Sequence, residues 1–195
     1  MRIVAGLLGG RTLRAPPGSD TRPTQEKVRA AVFSSLAVFV PERRVLDLFA
    51  GSGALGLEAW SRGASHVEFV ENAPPALRTL KQNLSVLGAP PSFRVHNADA
   101  LRLLETRSPS LPFDLVLADP PYREARDGHY AKRIADLLAL NARISPGGVF
   151  VFETEGSDDP PSLPAWTLLR DRRYGKTRIW MWQFTPFPET GEDPE

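Results

Sequence analysis

LDLFAGSGALGLEAW, residues 46–60, reads as an apolar strand running into a glycine-rich turn and then into a helix. It holds a literal Gly-x-Gly-x-x-Gly at Gly51, Gly53 and Gly56, with an acidic residue, Glu71, at the end of the next apolar run. Such a turn brings a ligand close to backbone amides at a helix start. The glycines alone do not name the ligand, because a plain strand-to-helix turn has the same pattern.

Outward from this turn the chain alternates apolar and amphipathic runs: HVEFVE then PPALRTLKQNLSVLG, SFRVHN then DALRLLETR, FDLVLADPP then HYAKRIADLLALNARI, and finally GGVFVFETE. Repetition of this kind predicts an α/β fold with a parallel sheet and helices on both faces. Gly63, Gly88 and Gly147 stand where helices are expected to end. WTLLRDRRYG and TRIWMWQF predict an antiparallel hairpin closing one edge of the sheet. On the other side of the glycine turn, RIVAG and RTLRA flank LLGG and predict a small N-terminal hairpin. A helix over QEKVRAAVFSSLAVFV then follows Thr24, with Pro41 as its stop. The 195 residues, 42% of them hydrophobic, suit one domain over 1–184, with a hairpin-and-helix extension in 1–40 and a core in 44–184. Residues 185–195, acidic and proline-rich, are expected to be a disordered tail, and TEGSDDPPSLPAW, 154–166, leaves the local strand boundaries open.

The absence of cysteine excludes disulfides, thiolate metal sites and cysteine nucleophiles. No apolar run approaches the length of a membrane span, and the start lacks the pattern of a secretory signal, so a cytoplasmic location is expected. The net charge of +1 is unevenly spread. Arg2, Arg11, Arg14, Arg22, Lys27 and Arg29 crowd the first thirty residues, and Arg170, Arg172, Arg173, Lys176 and Arg178 surround Asp171 near the end. Both clusters suit a polyanion, although a solvated surface has the same composition.

In open parallel sheets ligands gather at the carboxyl ends of the strands, where strand order reverses. That directs attention to Asp47–Gly56, Glu71 and Asn72, Asn97–Ala100 and Asp119–Tyr122. Asp47, just before the glycines, would repel a dinucleotide pyrophosphate, whereas S-adenosylmethionine, with a sulfonium and an ammonium group, is favoured beside a carboxylate. Glu71 can accept the hydroxyls of a ribose, and Asp99 can receive an adenine amino group.

ADPPY, residues 118–122, is the second discriminator. Its prolines fix the backbone, so that the Asp119 carboxylate and the Pro120 carbonyl serve as rigid acceptors with Tyr122 beside them. Two acceptors suit the two N–H groups of a planar exocyclic amine as its nitrogen attacks a methyl carbon, and a tyrosine ring offers a face for a base flipped out of its stack. No metal is called for, and His66, His96 and His129 lack ligand spacing and are read as surface or packing histidines.

The residues that carry the argument also carry a resemblance. RIVAG, TRPT (21–24), VRAAVF (28–33), DLFAGSGALGLEAWSRGA, FVEN, DLVLADPPY and YGKT (174–177) occur in the order found in the bacterial 16S rRNA guanine-N2 methyltransferases, the RsmD-like family, and the chain resembles that family over residues 1–184. The resemblance implies a Rossmann-like, seven-stranded class I methyltransferase fold, S-adenosylmethionine as donor, and a guanine of 16S rRNA in the small ribosomal subunit or its precursor as substrate; a monomer is expected. It assigns the cofactor to Asp47, Phe49, Gly51, Ser52, Gly53, Gly56, Glu71, Asn72, Asp99 and Ala100, and the chemistry to Asp119, Pro120, Pro121 and Tyr122. Arg11, Arg14, Arg22, Thr24, Arg172, Arg173 and Lys176 become the candidates for RNA contact. The competing readings are a DNA adenine-N6 or cytosine-N4 methyltransferase, for which 195 residues leave little room for a target-recognition segment, a dinucleotide oxidoreductase, and an RNA-binding module without activity.

Overall fold

β-branched and aromatic runs bounded by glycine and proline form seven strands: β1 (Arg44–Leu48), β2 (His66–Glu71), β3 (Arg94–Asn97), β4 (Phe113–Ala118), β5 (Ile144–Thr154), β6 (Trp166–Tyr174) and β7 (Thr177–Phe184). The amphipathic runs form α1 (Pro23–Ser35), α2 (Ala54–Ser61), α3 (Pro74–Leu87), α4 (Ala100–Leu104) and α5 (Gly128–Leu140). The computed structural model describes residues 1–16, 23–106, 111–121, 128–155 and 159–186, with side chains in α1 from residue 26 onward.

All seven strands join one sheet in the order β3-β2-β1-β4-β5-β7-β6. β1 to β5 are mutually parallel, and β7 runs antiparallel between β5 and β6. Strand order reverses between β1 and β4, which opens a crevice at their carboxyl ends. The glycine turn follows β1 and Asp-Pro-Pro follows β4, so both sequence signals arrive at this crevice.

Alternation along each strand feeds two cores. Val45, Val67, Leu115, Leu117 and Val151 face α1, α2 and α3, while Leu46, Val70, Val116 and Phe150 face α4 and α5. On the second face Phe150 stacks on Trp182 and Phe152 on Trp180, with centroids 5.7 and 5.9 Å apart.

The expected N-terminal hairpin forms, and two other local expectations are corrected. The arm is a small hairpin: Arg2 and Thr12 form an antiparallel bridge flanked by the Ile3 N–H to the Arg11 carbonyl at 3.0 Å and the Leu13 N–H to the Met1 carbonyl at 2.9 Å, and other polar groups of the arm reach the core. Glu58, fully buried, accepts the Val4 and Ala5 N–H groups at 2.7 and 3.1 Å, and Ser61 Oγ accepts from Leu8 N–H at 2.9 Å. The first helix ends at Ser35 rather than at Pro41: Ser35 Oγ turns back to the Ala31 carbonyl, a bond that competes with continuation. Gly147 ends no helix. It lies inside β5 with φ 77°, where pairing with β4 jumps from Phe113↔Ile144 to Leu115↔Val149. Of the expected disordered tail, residues 187–195 lie outside the described residues.

Candidate active site

Five of the residues singled out from the sequence, Asp47, Phe49, Gly51, Ser52 and Asp119, line one cleft at the carboxyl ends of β1 and β4. Gly53 and Gly56 lie beneath it and serve packing. A Cβ on Gly53 would come within 2.5 Å of Leu80, and one on Gly56 within 2.4 Å of Phe69, so each glycine lets a helix approach its neighbour. Gly53 also has φ 83° as the N-cap of α2. Phe49, not a glycine, adopts φ 60°, a costly conformation of the kind that clusters where function demands it.

Asp47 is 1% exposed. Its Oδ2 accepts the Gly56 N–H at 2.8 Å, while its Oδ1 is buried with no hydrogen-bond partner. Burial, opposed by the Gly56 bond and aided by Asp119 and Glu71, pushes its carboxyl up to about 8. The free carboxylate expected from the sequence is therefore a crowded acid, and a cation beside it would favour its ionised form. Glu71 pins the glycine loop: Oε2 accepts Gly51 N–H at 2.8 Å, and Oε1 accepts Asn72 and Ala73 N–H at 2.8 and 2.7 Å. Of its four lone-pair sites one remains for a ligand. Asp99 caps α4 through Arg102 N–H at 3.0 Å, with Ala100 buried behind it. Glu71, Asn72, Asp99 and Ala100 stand at or just beyond the carboxyl ends of β2 and β3 and are not among the residues that line the cleft.

Asp119 is exposed at the mouth of the cleft, with Pro120 buried and Pro121 exposed. Surrounding protein, together with the negative Glu155, pushes the Asp119 carboxyl up to about 6, a push that its contact with water weakens. Tyr122 lies outside the described residues, as do Thr21 and Arg22, and Thr24 falls in the first turn of α1.

Sequence reasoning missed four participants. Glu153, at the end of β5, and Arg29 of α1 line the same cleft. Glu153 ends an apolar strand just as Glu71 does, and that signal was available. Asn83, 3% exposed on α3, donates to the Ser52 and Arg14 carbonyls at 2.9 and 3.0 Å and accepts Arg14 N–H at 2.9 Å, tying the glycine loop to the arm. Glu58 holds the arm's other end and Arg62 Nε at 2.7 Å. No local pattern announces these long-range contacts.

Among the basic candidates, Arg11 and Arg14 are exposed on the arm. Arg172, Arg173 and Lys176 are exposed around the β6–β7 turn. Register carries that turn to the cleft's end of the sheet, since Thr154 at the end of β5 pairs with Arg178 and Arg178 with Arg173. Arg178 itself is buried, with Asp171 at 2.8 and 2.7 Å. His66 and His96 both contact Glu68, at 3.0 and 2.6 Å, in packing roles remote from the cleft. Among the described residues no carboxylate and histidine group is arranged to hold a metal, and no helix is long and apolar enough to cross a membrane.

A seven-stranded sheet with β7 reversed, a glycine loop after β1 and Asp-Pro-Pro after β4 define a class I methyltransferase. The chain belongs to the family described as Conserved hypothetical protein 95, which matches residues 1–183. It is 33% identical to the ribosomal RNA small subunit methyltransferase D of Escherichia coli (strain K12) over 184 residues, 94% of this chain and 89% of that one. YlbH of Bacillus subtilis (strain 168) is 34% identical over 181 residues, 92% of this chain and 96% of its own. The solved structure of Escherichia coli yhhF superposes with a TM-score of 0.83 at 31% identity, covering 95% and 98% of the two chains.

Proposed function

We propose that this protein transfers a methyl group from S-adenosylmethionine to the exocyclic N2 amine of a guanine in 16S rRNA of the small ribosomal subunit. The observation that carries the reading is the meeting of Asp47 and Asp119 in one cleft beside the glycine loop. The similarity to the ribosomal RNA small subunit methyltransferase D supports the choice of polymer.

The residues present fit the donor. Asp47 Oδ1, buried and without a partner, lines the cleft where a sulfonium or ammonium group would satisfy it. Phe49, Gly51 and Ser52 would hold the amino-acid part, Gly53 and Gly56 would keep α2 and its amides in place, and Glu71 with Asn72 would take the ribose and Asp99 with Ala100 the adenine. S-adenosylmethionine supplies an electrophilic methyl group.

The chain's own part is orientation and proton handling. The Asp119 carboxylate and the Pro120 carbonyl accept the two N–H groups of the amine, which turns the nitrogen lone pair toward the glycine loop. Pro120 and Pro121 fix both acceptors, and Tyr122 is assigned the stacking face. After transfer the nitrogen becomes acidic, and Asp119, with its raised carboxyl, takes the proton. Arg11, Arg14, Arg22, Thr24, Arg172, Arg173 and Lys176 are proposed to position the RNA through its phosphates.

The test presents the protein and labelled S-adenosylmethionine with hypomethylated small subunits, free rRNA and duplex DNA in separate reactions. Label entering the rRNA is expected. Label entering DNA alone would replace this reading with a DNA amino-methyltransferase.

A further inference from the structure

Glu153 and Asp119 are neighbouring carboxylates with nothing to hold. β4 and β5 pair in register through Ala118↔Phe152, and one step beyond that pair the two acids stand side by side at the cleft. Among the described residues neither makes a hydrogen bond or an ion pair. Each acid raises the burden on the site: burial, with Asp119 and Glu155 nearby, holds the Glu153 carboxyl well above the usual carboxylate range, and Arg29 opposes this. Arg29, 5% exposed, spends one N–H on the Arg2 carbonyl at 2.5 Å, and its Nε lies 3.6 Å from Glu58 without a hydrogen bond. The guanidinium therefore has donors to spare in the same cleft.

Resting on the proposed nucleobase amine as substrate, we infer that Glu153 is a specificity-determining residue that recognises guanine by its N1–H. With Glu153 ionised beside the Arg29 guanidinium, Arg29, Glu153 and Asp119 form the sequence donor, acceptor, acceptor. The Watson–Crick edge of guanine is its complement: O6 accepts, N1–H donates and the N2 amine donates. Adenine and cytosine also carry an exocyclic amine, but the ring nitrogen next to it is an acceptor and would set a lone pair against the Glu153 carboxylate. A site built to pair a donor rejects the analogue that lacks it strongly, because a buried polar group is then left unpaired.

The probe is 2-aminopurine, which keeps the 2-amino group, presents a lone pair at N1 in place of N1–H and lacks O6, so the N1 contact is read from the change in preference between the wild type and Glu153→Gln. Small subunits are reconstituted with rRNA carrying guanine or 2-aminopurine at the methylated position, and kcat/KM is measured for the wild type and for Glu153→Gln. The wild type is expected to favour guanine by about a hundredfold or more. In Glu153→Gln the amide can turn either its oxygen or its nitrogen toward N1, so the preference should fall by at least about tenfold, with S-adenosylmethionine affinity unchanged and the melting temperature no lower than that of the wild type. Glu153→Asp, with its acceptor withdrawn by one methylene, should lose rate on guanine and keep the preference. Equal use of the two bases by the wild type, or a preference unmoved in Glu153→Gln, would overturn the inference while leaving guanine methylation intact. No transfer to guanine in any substrate would overturn the proposed function as well.

Discussion

Asp47 and Glu68 are both buried acids of the parallel sheet, and their surroundings push them in opposite directions. Asp47 is raised from 3.8 to about 8, chiefly by burial. A carboxyl raised in the folded state adds stability that is complete below its unfolded value and is lost as pH climbs through the folded one. Asp47→Asn keeps an acceptor for Gly56 N–H and cannot ionise, so its melting temperature should overtake the wild type progressively between pH 4 and 8, by a few degrees or more at the upper end. Binding of S-adenosylmethionine, read by calorimetry, should weaken in the same variant. Melting curves that stay parallel across this range would contradict the assignment of Asp47 as a strained functional acid. Glu68 is the opposite case: burial raises it, but the bonds from His96 and His66 outweigh burial and lower it from 4.5 to about 2. Its contribution is present above the unfolded value and fades as pH falls from 4.5 toward 2. That shift corresponds to a contribution on the order of 3 kcal/mol. Urea denaturation of Glu68→Gln should accordingly show a loss of that order at neutral pH and a flatter acid limb than the wild type.

At the scale of elements, the glycine loop is held from outside itself. Asn83 on α3 bonds the Ser52 carbonyl and both backbone groups of Arg14, so one amide couples loop, helix and arm. Asn83→Ala leaves these groups unpaired and should cost about 1–3 kcal/mol. Because Ser52 faces the cleft, the KM for S-adenosylmethionine should rise more than kcat falls; a loss of stability with KM unchanged would make Asn83 a packing residue only. The contrast with the strands shows what local sequence can carry. β1, β2 and β4 were legible because central strands buried on both faces read as near-continuous apolar runs of five or six residues, and the glycine loop was legible because its turn is local. The N-terminal hairpin was legible too, with Ile3 and Leu13 buried as strand residues would be, but what anchors it was not. Its polar partners, Glu58, Ser61 and Asn83, stand more than fifty positions away, and nothing in the spacing of residues 1–16 points to them. The same limit hid Arg29: within α1 it reads as one more basic residue, and only the packing of α1 over the carboxyl end of the sheet turns it into the cleft.

Over the whole molecule a net charge of +1 conceals a division of labour. Carboxylates gather at the carboxyl ends of the central strands, and exposed arginines stand outside them on the arm and around the β6–β7 turn. An acidic pocket rimmed by basic side chains suits a polyanion that presents one neutral, donor-rich base. Reversal of Arg172, Arg173 and Lys176 to glutamate should weaken rRNA binding and lower the slope of log affinity against log salt by roughly 2–3, while affinity for S-adenosylmethionine stays as it was. An unchanged slope would move the RNA to another face.

The most direct test of the central claim is the chemical identity of the product. Small subunits from cells lacking the modification are incubated with S-adenosylmethionine and either the wild type or Asp119→Ala, the rRNA is digested to nucleosides, and these are identified by mass spectrometry. The account predicts N2-methylguanosine from the wild type, at least about a hundredfold less from Asp119→Ala, and equal donor binding by both proteins. Methyl groups on an adenine or a cytosine, or an Asp119→Ala enzyme as fast as the wild type, would contradict it.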